Sequence, residues 1–405
     1  MAPCCRQLRR HDGARLQLSE VLKAALPLHA ASHCLPPDHW KTLNALLRCH
    51  TAELGGHLYR CMDCGKDHFV AHSCRNRHCP SCQRAGAEEW LLKQSASLLP
   101  VPYFHIVFTL PHALNGLLSQ NQRELYKLLF DSASATLLKF GERKLKAQIG
   151  VTAVLHTWSQ TLLDHYHLHC IVTGGGLSLD DKEWKSTSEH YLFPVRALSK
   201  VFMAKFRDGL KKLYHQGKLG FHGALRPLAD KAAFNTLLSC ACAQPWVVYS
   251  KKPFCGPKAV LAYLSRYTHR VAIGNGRLLA LDETAGTVTF SYKDYADQSR
   301  RKKMELSLSE FLRRFCLHIL PKRLVKIRHY GLLGNRNRAA KITRARAQLG
   351  GDKELQAQQT TCAAGALSAI DSPPLLCPHC GSHRMILLER RCRPAQAPPL
   401  PSDSS

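Results

Sequence analysis

The stretch His165-Tyr166-His167-Leu168-His169, followed by Cys170-Ile171-Val172-Thr173 and three glycines, constrains this chain more than any other. In an extended strand alternate residues share a face, so the three imidazoles project together. Neutral imidazoles fanned side by side suit a divalent metal far better than an apolar core. Cys170, Ile171 and Val172 anchor the strand, and Gly174-Gly175-Gly176 is expected to end it. With 23 histidines in 405 residues, about one such triplet arises by chance. The strand counts as a site only if the rest of the chain supplies partners for it.

Charge supplies the first of these. Lys and Arg total 57 against 29 Asp and Glu, a net charge of +28. That imbalance points to a polyanionic partner, nucleic acid before an anionic membrane surface or a ribosomal-type role. No apolar run reaches the ~18 residues of a spanning helix. The first fifteen residues lack the apolar stretch of a secretion signal. Eighteen cysteines in a non-secreted chain then indicate metal binding and reduced thiols rather than a disulfide framework. A cytoplasmic location with no membrane partner is expected.

Periodicity divides the chain into three parts: residues 1–99, 100–335 and 336–405. Leu and Ala recur at helical steps over 16–57, with Pro36-Pro37 separating two helices. Residues 58–84 are irregular and rich in Cys and His, and a helix resumes over 85–99. The second part reads as a buried strand over 103–110, a long helix over 113–140, and strands over 150–161 and 166–173. Helices over 196–217 and 227–242 and a strand over 246–250 follow. Pro257 opens a helix through Tyr267, and 277–282 with 287–292 forms a hairpin. The chain to about 346 reads as helical and basic. Beyond Gly350, Ala, Gln, Pro and Ser dominate, and that tail is expected to be largely disordered.

Cys61-Met62-Asp63-Cys64 and Cys79-Pro80-Ser81-Cys82 are two knuckles with fourteen residues between them. Each offers two thiolates from one tight turn, so Cys61, Cys64, Cys79 and Cys82 are expected to complete a tetrahedral structural Zn²⁺ site. His68, His72, Cys74 and His78 lie between and are candidates for a second ion or a replacement ligand. Arg75 and Arg77 make the same segment basic, as expected of a DNA-binding module. Another pair, Cys377-Pro378-His379-Cys380, has no matching knuckle downstream, although Cys392 or His383 could contribute to a zinc knuckle there.

Tyr263-Leu264-Ser265-Arg266-Tyr267 places two phenols one helical turn apart on one face. Tyrosine is protonated at neutral pH, with a reference pKa of about 10. It becomes a useful nucleophile when a metal polarises a phosphodiester and stabilises the developing charge. Two histidines are too few ligands, so a third group is needed. In a hairpin centred near Leu163-Asp164, Gln160 faces His167 across the ladder, with His156 on the same face two pairs further along. Gln160 is therefore the favoured third ligand, His156 the next and His165 the outside choice. Asp164 is the alternative, orienting an imidazole rather than binding metal.

Several motifs together resemble a known family. Cys61 and Cys64 with Ser73-Cys74-Arg75-Asn76-Arg77-His78-Cys79-Pro80-Ser81-Cys82-Gln83 look like the zinc-binding domain of insertion-sequence transposases. Phe104 to Pro111, Leu155 to Gln160, His167-Leu168-His169, Tyr263 to Arg270 and Ile327 to Leu332 then match the catalytic domain of two-tyrosine rolling-circle transposases in order. These belong to the histidine-hydrophobic-histidine (HUH) endonuclease superfamily, and the matches span about residues 40–335. One departure is Tyr166, where proline is more usual.

The resemblance implies an α+β fold: an antiparallel sheet flanked by helices behind a small N-terminal helical and zinc-binding domain. It places the histidine pair on a central strand with the tyrosines facing it, and implies a bacterial, nucleoid-associated enzyme. The expected reaction is nicking and strand transfer of single-stranded DNA through a 5′-phosphotyrosine intermediate. Mg²⁺ or Mn²⁺ on His167, His169 and Gln160 or His156 would serve Tyr263 or Tyr267. From Arg313 to Arg346 the chain holds eleven Lys or Arg and no acid, which suits phosphate contact. Arg266, Arg270, Arg323, Arg328 and Arg336 are the candidate DNA contacts there and beside the tyrosines. Tyr103, Phe104 and Trp158 are candidates for stacking on bases. Two alternatives remain: a non-enzymatic zinc-dependent DNA-binding protein, and a replication initiator or relaxase with the same nicking chemistry.

Overall fold

The computed structural model describes residues 16–95, 97–188, 192–254, 260, 268–350 and 376–392. Two helices open it, α1 (Leu18–Ala30) and α2 (Pro37–Leu47), the second started by Pro37 at its first turn. The hairpin β1 (Gly56–Cys61) and β2 (Asp67–Ala71) and the helix α3 (Pro80–Ser95) follow. Next come β3 (Tyr103–Thr109), α4 (Asn115–Gln120), α5 (Gln122–Phe140), β4 (Ala147–Trp158), β5 (Asp164–Ser178) and β6 (Trp184–Ser186). The single helix expected over 113–140 breaks at Asn121. Its amide bonds back to Leu117 and to both backbone groups of Gly220, competing with the helical ladder. Then come α6 (Val195–His215), α7 (Lys231–Cys242) and β7 (Val248–Phe254).

A six-stranded antiparallel sheet, ordered β11–β4–β5–β3–β7 with β6 added to β5, forms the centre, its β11 spanning Ile327–Gly331. The period of two sorts its side chains. Phe104, Ile106, Phe108, Val151, Ala153, Leu155, Leu168, Cys170 and Val172 face the helices, packing with Leu129, Phe130, Phe202 and Phe206. Each large apolar side chain fully buried there contributes roughly 1.5–3 kcal/mol. The alternate residues, including His105, His156, His167 and His169, lie on the opposite face.

Gly174-Gly175-Gly176 continues β5 instead of ending it. A Cβ would come within 2.7 Å of the Pro102 carbonyl at Gly174 and 2.4 Å of the Gln148 carbonyl at Gly176. Glycine here lets three chains close on one strand.

The basic region after the expected hairpin is largely not helical. β8 (Leu278–Asp282), β9 (Thr287–Asp294) and β10 (Arg300–Ser307) form a second antiparallel sheet, in register from Arg300 opposite Asp294 to Ser307 opposite Thr287. Arg300 to Lys303 are therefore strand residues, and Lys302 is tied to Asp294 and Asp297. The helix α8 (Leu308–Cys316) begins at Ser307, whose hydroxyl accepts the Glu310 N–H. Its Leu308, Phe311, Leu312 and Phe315 stripe packs with α1, α2 and the second sheet, and Trp158 and Leu162 beside the β4–β5 turn join that core. A last helix, α9 (Arg338–Gln348), packs Ile342 and Ala345 beside Leu332 and Leu333.

The expected disordered tail falls partly outside the described residues. Residues 376–392 instead carry β12 (Met385–Arg391), which pairs antiparallel with β1 and makes a three-stranded sheet ordered β12–β1–β2. Among the described residues, no helix is long and apolar enough to cross a membrane.

Candidate active site and cysteine clusters

Strand pairing assembles the histidines. His156 of β4 stands directly opposite His167 of β5, and His169 lies two residues further along the same face. One ligand nitrogen from each of His156, His167 and His169 falls within 4.8 Å of the others. All three side chains are buried. The His167 Nδ1–H donates to the His165 carbonyl at 2.8 Å, so Nε2 is the His167 atom that could hold a metal ion. His169 Nδ1 lies 2.9 Å from His105 Nε2 on the neighbouring β3. Burial, reinforced by neighbouring histidines, pushes His167 down to about 3 and His169 well below the usual imidazole range. Both are thus neutral at physiological pH, as ligands must be.

The expected place of Gln160 opposite His167 is corrected. β4 ends at Trp158 after a bulge between His156 and Trp158. Residues 159–163 form the turn, closed by Ser159 N to Leu163 O at 2.9 Å, with Leu162 left-handed at φ 62°. The ladder position opposite His167 therefore belongs to His156. Gln160 lines the same cleft, its carbonyl held by Arg277 and its Oε1 3.5 Å from the Lys293 N–H. His165 sits at the outer end, its ring 5.6 Å from that of His112, and is not in the cluster. Asp164 accepts from the Tyr166 hydroxyl at 2.9 Å rather than orienting an imidazole. Tyr166 itself is buried on the helix side beside Tyr126.

The histidines floor a cleft of about 400 Å³ whose opposite wall comes from the second sheet, through Tyr292, Lys293, Asp294 and Tyr295, with Arg270 beside them. Tyr263, Tyr267 and Arg266 lie outside the described residues. One described residue on either side of them lies on the histidine face: Val260 is buried with Tyr103 and Ile171, and Arg270 lines the cleft. Lys326 Nζ donates to the Arg270 carbonyl at 2.7 Å and lies 5.2 Å from the Trp158 ring centre. Burial, with Arg77 and Arg270 nearby, lowers that amine to about 7.

The other candidate DNA contacts divide in two. Arg75, Arg323 and Arg336 are exposed. Arg77 instead donates to the Leu324 carbonyl at 2.6 Å, docking the cysteine-rich segment on the loop before β11. Arg328 pairs with Ala153 and stacks 4.1 Å over Phe130, so it points to the helix face, away from the histidines. Of the candidate stacking aromatics, Phe104 is core and Tyr103 is buried, its hydroxyl accepting the Leu99 N–H. Trp158 stacks on His156 at 4.6 Å. Tyr292, Lys293 and Tyr295 were missed from sequence because nothing local says that β9 faces the histidines.

The cysteines are also redistributed. Cys79 and Cys82 converge with Cys49 and Cys74, not with Cys61 and Cys64. The Sγ atoms of Cys49 and Cys82 are 3.5 Å apart, Cys49 and Cys79 3.5 Å, and Cys74 and Cys82 3.6 Å. Tetrahedral zinc with Zn–S bonds of about 2.3 Å needs edges of about 3.8 Å, so the set fits that ion. The Cys74 N–H donates to Cys49 Sγ and the Asn76 N–H to Cys74 Sγ, as thiolates require. Hydrogen bonding from Cys74 draws the Cys79 thiol down to about 5, while burial pushes Cys49 up to about 12. Four thiols this close all ionise only with a cation among them. Of the other candidate ligands, His72 Nδ1 bonds Leu54 O and His78 Nε2 accepts the Leu320 N–H. Cys61 and Cys64 lie elsewhere, beside Cys377 and Cys380. The reason is topological: the first knuckle is the turn between β1 and β2, and β2 then runs back along the hairpin to the end of α2, where residues 72–79 lead into the second.

Residues 21–110 match the family described as "Transposase zinc-binding domain", and residues 150–341 the one described as "Putative transposase". The chain is 43% identical over 337 residues to "Putative transposase y4qJ" of Sinorhizobium fredii, covering 82% of this chain and 84% of that one. It is 30% identical over 298 residues to "Transposase for insertion sequence element IS801" of Pseudomonas savastanoi pv. phaseolicola, covering 73% of this chain and 70% of the relative. No solved structure matches it.

Proposed function

Because the chain belongs to the IS91/IS801 family of insertion-sequence transposases, we propose that it nicks and rejoins single-stranded DNA at its element's ends through a tyrosine nucleophile. The observation that carries this reading is the convergence of His156, His167 and His169 at the floor of the cleft. Three imidazole donors suit Mn²⁺ better than Mg²⁺, which prefers oxygen. A divalent cation held there supplies charge stabilisation to the scissile phosphate.

The chain's own groups do the rest. His156, His167 and His169 bind as neutral imidazoles, and His105 fixes which His169 nitrogen faces the ion. Arg270 and Lys293 place positive charge on the cleft wall for the flanking phosphates, and Tyr292 and Tyr295 offer faces on which unpaired bases stack. Tyr263 or Tyr267 attacks phosphorus, its oxygen replacing the 3′ oxygen, which leaves as a hydroxyl with the phenolic proton. The product is a 5′-phosphotyrosyl ester. One phosphoester is exchanged for another, so no nucleotide cofactor is consumed. Two tyrosines let one hold donor DNA while the other cuts the next site. The cluster of Cys49, Cys74, Cys79 and Cys82, wholly inside the matched zinc-binding domain, holds structural zinc.

The test is incubation with Mn²⁺ and single-stranded oligonucleotides from the element's ends, followed by denaturing electrophoresis. A denaturation-resistant adduct is expected from the native protein and none from the Tyr263→Phe, Tyr267→Phe double variant. Adduct in the double variant, or none from any terminal sequence, would refute the reading.

A further inference from the structure

Half of the Cys61, Cys64, Cys377, Cys380 cluster lies outside both matched segments, since residues 377–380 follow 341. We propose that these four cysteines form a second structural zinc site, a split ribbon in which the ion staples residues 376–392 to the N-terminal module. The site is independent of the nicking chemistry.

The two knuckles are built alike. In each, a glycine with left-handed φ follows the second cysteine: Gly65 at 71° and Gly381 at 74°. In each, that glycine's N–H donates to the first cysteine's carbonyl, Gly65 to Cys61 at 2.9 Å and Gly381 to Cys377 at 2.8 Å. In each, the first cysteine's N–H donates to the residue after the glycine, Cys61 to Lys66 O and Cys377 to Ser382 O. A Cβ at either glycine would demand a backbone conformation that L-residues avoid. The knuckles meet face to face, with Cys61 Sγ 3.5 Å from Cys380 Sγ and Cys64 Sγ 3.6 Å from Cys377 Sγ. All four sulfurs lie within 4.8 Å of one another, the dimensions of the Cys49 set. Four thiolates in this arrangement select zinc over the oxygen-loving cations.

Packing alone does not hold this segment. β12 pairs with β1 from Gly56–Arg391 to Cys61–Met385, yet six of its seven side chains are exposed, Ile386, Leu387 and Leu388 among them. A small sheet without a buried apolar face is marginal in water. The polar ties that accompany the ladder, Asp63 to Arg384 at 2.8 Å and Asp63 to the Ser382 hydroxyl, are exposed and individually weak. Among the described residues, the ion adds a strong link to a ladder that has no buried apolar face.

Metal analysis of the full chain by native mass spectrometry and elemental analysis should find two zinc ions in the native protein. It should find one in the Cys377→Ser, Cys380→Ser double variant, with the Cys49 site still filled. In a second experiment, a protease site is placed between residues 350 and 376 of the full chain and cut. The C-terminal fragment should remain with the body until a zinc chelator is added, then separate. One zinc in the native protein, iron in place of zinc, unchanged zinc content in the double variant, or release of the fragment before chelation would each overturn the proposal.

Discussion

His105 Nε2 lies 2.9 Å from His169 Nδ1, across the β3–β5 ladder and 64 residues away in sequence. The two are diagonal neighbours, since the residue directly opposite His169 is Val107. Burial lowers His105 to about 3, so the pair shares one proton between two neutral rings. With that proton on His169 Nδ1, the proposed ion would be held through His169 Nε2. His105→Ala should leave the fold intact and raise the Mn²⁺ concentration needed for adduct formation by about 10- to 100-fold. His105→Asn, which keeps a polar partner, should recover part of the loss. A Mn²⁺ titration of adduct yield measures this, and an unchanged midpoint in His105→Ala would remove His105 from the site.

Acid should destabilise the protein before carboxylates titrate. Burial lowers His78, His105 and His167 to about 3 and His318 and His329 to about 4. Unfolded histidine titrates near 6.5. Between the two values the unfolded chain binds protons that the folded chain does not. The histidine contribution is therefore full above about pH 7 and falls as pH drops below 6.5, by about 1.4 kcal/mol per pH unit for each such histidine. The melting temperature should drop steeply from pH 6.5 to 5, well beyond the single-group slope that Lys326, lowered to about 7, gives between pH 8 and 7. A flat profile down to pH 5 would contradict the burial described for these rings.

The arginines should separate by role. Arg323→Gln and Arg336→Gln should weaken binding to every single-stranded sequence alike and reduce the salt slope by about 0.7 for each phosphate no longer neutralised. Arg328→Ala should instead lower the melting temperature by removing the stack on Phe130, with the salt slope unchanged. A reduced slope in Arg328→Ala with native stability would reverse this assignment.

Cys49→Ser should cost the Cys79–Cys82 site its zinc and loosen the end of α2, where Cys49 sits next to the turn carrying Cys74. Hydrogen exchange should show reduced protection over 72–83. Retention of that zinc would mean that the ligands are paired otherwise.

Parts of this arrangement were legible in the sequence and parts were not. Alternation along one strand identified His167 and His169, and the hairpin logic identified β4 as the source of a third group. The register came out four residues off, from Gln160 to His156, because a bulge and a left-handed Leu162 shorten β4 in ways no pattern announces. His105 was unreadable because local periodicity does not say which strand lies beside β5. The knuckles were plain, but their pairing was not: Cys377 is 313 residues from Cys64. The chain to about 346 reads as helical and basic, yet residues 300–307 form a strand whose exposure alternates. The tyrosine pair came from spacing, and Tyr263 and Tyr267 lie outside the described residues.

The proposed chemistry requires that three imidazoles, His156 included, hold the ion that serves the tyrosine nucleophile. The most direct measurement is adduct yield against Mn²⁺ concentration for the native protein, His156→Ala and Gln160→Ala, with binding to the same oligonucleotide followed in parallel. All three proteins should bind DNA alike, and Gln160→Ala should form adduct at near-native Mn²⁺. His156→Ala should fall by about a hundredfold or more in yield. Full adduct formation by His156→Ala, with loss in Gln160→Ala, would show that Gln160 and not His156 completes the site.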